Sequence, residues 1–131
     1  MSAFTSPQQD AITFALAAAL EKYGMDMDRL VDTWLDMELY GVVSQEVEEI
    51  RLLAASGPTL SVPWVELLIA HAELIHCLWR QQFASGDPRV NELRARHADA
   101  VATLRRHCIR LLSRSPDAGG GDAPEVSPVA A

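Results

Sequence analysis

The sequence predicts an all-α domain over residues 1–114, a compact bundle of about five helices with a long antiparallel C-terminal helical hairpin. A disordered Pro/Gly/Ala-rich tail is expected over 115–131. Three observations carry this prediction. Ala and Leu are abundant and aromatic residues few, a balance that favours helices. Apolar residues recur three and four apart along most of the chain. Helix-starting and helix-stopping residues punctuate those stretches. Beyond Ser115, Pro116, Gly119, Gly120, Gly121, Pro124 and Pro128 leave too little apolar surface to offset ordering entropy.

The first helix is expected to open at Ser6, a capping residue followed by Pro7. Ile12, Leu16, Ala19, Leu20 and Tyr23 form its buried stripe, and Gly24 is the expected stop. A second helix then begins near Asp26, with Met27, Leu30, Val31, Trp34 and Met37 on its apolar side, and halts at Gly41. Asp28, Asp32 and Asp36 share another side of it, where Asp36 gains little from the helix dipole. Ser44 is the expected cap of a short third helix, whose buried side is Val47, Ile50, Leu53 and Ala54. Periodicity leaves open whether 26–56 is one kinked helix or two. The fourth helix starts at Ser61 with Pro63 in its first turn and runs to about Ala84. Gly86 separates it from a fifth, which runs from Asp87 to Ser113. So short a connection makes these two antiparallel neighbours.

The net charge of −7 gives no overall attraction to phosphate backbones or anionic lipid. Charge is uneven: residues 1–60 hold ten acids and three bases, whereas 61–114 hold five acids and eight arginines. The simplest account places the arginine-rich helices beside the acidic ones. The arginines of the last helix spread around its circumference with no aromatics between them, so nucleic-acid binding is not expected. The N-terminus lacks a signal-peptide layout, and the apolar stretch around Val62–Ile69 is broken by Pro63 and Glu66. A cytoplasmic protein without membrane contact is the expectation, with Cys77 and Cys108 as buried thiols.

Helical wheels place one histidine on the core stripe of each hairpin helix. On the fourth helix, Trp64, Leu67, Leu68, Leu74, Ile75, Leu78 and Trp79 cluster on one side with His71 among them, while Glu66, Glu73 and Arg80 face away. On the fifth, His97 lies in the seam of Val90, Leu93, Val101, Leu104, Cys108, Leu111 and Leu112. Folding the hairpin leaves His71 and His97 offset by about 6 Å of rise, close enough for contact directly or through one water. A metal or haem on these histidines, with Cys108 or His107 nearby, is one reading; satisfied core histidines are the other. Glu73 and His76 make a Glu-x-x-His pattern, but Glu73 points to solvent, which argues against a di-iron site. His76–Cys77 and His107–Cys108 are adjacent pairs that diverge on a helix, so structural zinc is not expected.

No catalytic motif is present. The expected function is therefore a non-enzymatic helical protein-interaction module of the adaptor, small-subunit or inhibitor type, working as a homodimer. Its partner is another protein, itself or both, and it carries no cofactor. The fourth helix is apolar over more than half its circumference, beyond the stripe a peripheral helix needs. This surplus implies either a central position or a helix shared with another subunit, and in the second case Trp64, Leu68, Ile75 and Trp79 are the interface candidates. The alternative is a metal- or ligand-binding bundle built on His71 and His97.

Overall fold

The structure is a computed structural model that describes residues 6–81 and 89–114. Among these residues it is all-helical and has four α-helices where five were expected. They are α1 (Ser6–Asp32), α2 (Met37–Ala54), α3 (Ser61–Gln81) and α4 (Val90–Ser113), with a single 3₁₀ turn, Pro58–Leu60, leading into α3. The expected hairpin turn at Gly86 and the expected disordered tail both lie outside the described residues.

The helix count differs because neither Gly24 nor Gly41 stops a helix. A glycine inside a helix costs about 1 kcal/mol relative to alanine, which long runs of helix formers on either side override. α1 ends instead at Trp34 and Leu35, whose φ angles of 54° and 71° are left-handed. The Trp34 amide donates to the Val31 carbonyl at 3.1 Å and the Leu35 amide to the Leu30 carbonyl at 2.9 Å. This is a Schellman ending with tryptophan where glycine is usual. Leu35, buried at 4% exposure, supplies the apolar contact that accompanies the motif. Asp36 then caps α2: its Oδ1 accepts from the Glu38 and Leu39 amides at 2.9 and 3.4 Å. Asp36 is thus a helix start, and Ser44 lies inside α2.

α1 packs against both α2 and α4, and α3 packs chiefly against α4, while α2 and α3 touch only slightly. One core joins all four. Leu16, Leu20, Met27 and Leu30 of α1 meet Val43 and Ile50 of α2, Leu67, Leu74 and Leu78 of α3, and Leu93 and Leu104 of α4. The uneven charge is resolved between α1 and α4. Arg94 pairs with Asp28 and Asp32 at 3.2 and 3.1 Å, and Arg105 with Glu21 at 3.4 Å. These pairs are largely exposed, so each contributes little stability; their effect is on which helices lie side by side.

Candidate functional site

Three helices, α2, α3 and α4, each send a polar side chain toward the middle of α1. Tyr23 lies on the buried stripe of α1 at 0% exposure, and its hydroxyl sits between two imidazoles. The oxygen is 2.7 Å from His71 Nδ1 on α3 and 2.6 Å from His97 Nε2 on α4. The rings pack as well as bond, with centroids 5.9 Å from Tyr23 to His71 and 5.3 Å from Tyr23 to His97. A phenol has one proton to give. One imidazole therefore accepts from Tyr23 and the other donates to it. Because His71 faces the hydroxyl with Nδ1 and His97 with Nε2, the two neutral rings hold the same tautomer, both Nε2–H or both Nδ1–H.

Burial sets the charge state of this triad. It pushes His71 down to about 4. It pushes His97 down to about 4 as well, with His71 adding to the effect. Burial, then the charge of Glu46, raises Tyr23 well above the usual phenol range. All three are neutral at pH 7, as buried hydrogen-bonded groups should be.

Beside them lies a second cluster. The Lys22 ammonium donates to Asp26 Oδ2 at 2.6 Å and to Glu46 Oε2 on α2 at 2.8 Å, and Arg29 donates to Asp26 Oδ1 at 3.2 Å. Burial pushes Asp26 up, but the bond from Lys22 and the charges of Lys22 and Arg29 oppose it, and the carboxyl is held below its ordinary range. Burial also raises Glu46, with Asp26 adding and Lys22 opposing. Glu46 Oε1 is buried without a hydrogen-bond partner. The two carboxyls are therefore unequal, Asp26 the stronger acid and Glu46 the weaker.

The structure brings His71 and His97 together, as their wheel positions suggest, through a side chain the sequence reading had assigned only to packing. Tyr23 was legible as a core residue, and its need for a hydroxyl partner was the available signal. Cys108 is fully buried, its thiol pushed up to about 11 by burial with Arg105 opposing. His107 is half-buried, with its Nδ1 3.2 Å from Arg110 Nη2. Neither takes part in the Tyr23 contact. Among the described residues no group of three or more His, Cys, Asp or Glu is placed to hold a metal ion. A groove of about 270 Å³ between α1 and α4 is lined by Gly24, Met25, Asp28, His97, Val101 and Arg105.

The interface candidates divide. Ile75 is buried in the core and Trp64 packs half-buried against it. Leu68 and Trp79 are exposed at 40% and 38%, Trp79 lying edge-on to Tyr40 of α2 at 6.2 Å. Trp79 belongs to a longer outer row that wheel reasoning on the inner stripe missed, and Leu68 lies along its edge. Val62, Val65 and Ile69 are 68%, 48% and 54% exposed, and Ala72 and His76 are exposed beside them. The residues 62, 65, 69, 72, 76 and 79 alternate three and four apart, which places them on one line of α3. The stretch Pro58–Arg80 is long and apolar enough to cross a membrane by composition, and its two apolar faces, one in the core and one outside, account for that. No family model, curated protein or solved structure gave a match to this chain.

Proposed function

We propose that this chain is a non-enzymatic helical protein-interaction module of the adaptor, small-subunit or inhibitor type, with α3 as its contact helix and a homodimer as its working form. In this reading α3 and α4 join as an antiparallel hairpin, and α4 holds the inner side of α3 so that the outer side is free. The observation that carries it is the exposed row Val62, Val65, Ile69, Ala72, His76 and Trp79 along the whole of α3. A monomer gains nothing from leaving so continuous an apolar line in water, whereas a partner helix covers it. Burial of the triad supports the absence of chemistry at its centre, since Tyr23 satisfies the facing nitrogens of both histidines. The test uses the full-length chain in lysate of its own cells, sized by gel filtration. It should run above monomer size, and Ile69→Glu, with unchanged helical circular dichroism, should run as a monomer. A wild-type chain of monomer size would end this reading.

A second reading, a metal- or ligand-binding bundle on His71 and His97, is favoured by the convergence of the two rings and by the groove beside His97. It requires a ligand to displace the Tyr23 hydroxyl. Equilibrium dialysis against Zn²⁺ should show no uptake that His97→Leu abolishes; such uptake would favour the second reading over the first.

A further inference from the structure

We infer that the occupant of the outer row of α3 is the α3 of a second copy of this chain, packed antiparallel about a twofold axis between Ile69 and Ala72. This rests on the reading of that row as a contact surface and names its partner. The row is symmetric about its midpoint in spacing: Val62 and Trp79, Val65 and His76, and Ile69 and Ala72 lie equally far from it. Antiparallel pairing therefore sets Ile69 against Ala72 of the partner subunit and Val62 against Trp79 of the partner subunit. Each layer joins a larger side chain to a smaller one, which is what interdigitation requires. Parallel pairing would stack Ala72 on Ala72 and leave a gap, and would force Trp79 onto Trp79.

The flanks agree. Glu66, Glu73 and Arg80 follow one edge of the row, and exposed Leu68 lies on the other. Antiparallel helices bring like flanks together, so Glu66 points toward Arg80 of the partner subunit and the reverse holds by symmetry. Glu73, at the middle of that edge, already has Arg96 of its own chain 3.5 Å away, which tempers its meeting with its own copy. Parallel helices would instead set the charged edge against Leu68.

The test is made on purified full-length chain. Sedimentation over a range of concentrations should show a monomer–dimer equilibrium that Ile69→Glu abolishes, with Val62→Lys as a second variant should the first disturb folding. A mixture of Val65→Cys and His76→Cys chains, distinguished by mass, should then form a mixed dimer with a short thiol cross-linker. Val65→Cys alone should not, because its two copies would lie about 16 Å apart along the axis. Cys77 and Cys108 are buried, so the wild-type chain serves as the unreacted control. Homotypic cross-linking at Val65→Cys would overturn the antiparallel inference and leave the interaction reading intact. A purified monomer that still runs as an assembly in lysate would do the same. A purified monomer that instead floats with lipid vesicles, losing this with Ile69→Glu, would overturn both.

Discussion

His71 and His97 are uncharged in the folded chain at neutral pH because burial pushes both down to about 4, whereas an exposed histidine titrates near 6.5. The sign of the linkage follows. As pH falls from about 6.5 toward 4, the unfolded chain takes up protons that the folded chain refuses, so stability is lost across that window. The loss is on the order of 3 kcal/mol per histidine at most. Glu46 works the other way over the upper part of its own range, since its raised carboxyl binds a proton first in the folded state. Asp26, held low, costs stability only at more acid pH. We expect the urea midpoint to fall between pH 7 and pH 4.5, and to fall less steeply in His97→Leu. A flat wild-type profile would contradict the buried neutral state of the pair.

At the scale of the helix, the boundaries follow local chemistry that only partly shows in residue type. Asp36 caps α2 by accepting two backbone amides, so Asp36→Ala should cost about 1 kcal/mol. Gly41 is exposed within α2, and a methyl group there would meet no atom within 4 Å. Gly41→Ala should therefore stabilise the chain by about 0.5–1 kcal/mol, read as a rise in the thermal midpoint. An unchanged or lowered midpoint would mean that the α2 backbone at Gly41 is not helical. The same facts explain what the sequence concealed. Glycine is a good stop signal only where the chain must turn left-handed, and here that turn falls on Trp34 and Leu35. Nothing in the residue type of a tryptophan announces it. What accompanies the turn is tertiary burial, Leu30 and Leu35 both lying in the core that the other helices share.

For the molecule as a whole, the all-helical architecture was readable because its periodicity is strong and redundant. The arrangement of acidic α1 beside arginine-bearing α4 was readable from charge alone. The candidate site was half readable. His71 and His97 declared themselves by lying on inner stripes, but the helix that completes the layer is α1, distant in sequence, and no periodicity records a bond between Tyr23 and residues 48 and 74 positions away. The outer row of α3 hid for a different reason. A helix with two apolar faces reads on a wheel as one broad face, and the boundary between them is set by where α4 lies. The tyrosine bridge has a further consequence. With a single phenolic hydrogen and two claimants, the O–H can turn from one ring to the other only if both imidazoles change tautomer, the outer nitrogen of one ring releasing a proton and the outer nitrogen of the other taking one up. The protonation of a ring on α3 is thereby tied, through one oxygen on α1, to that of a ring on α4.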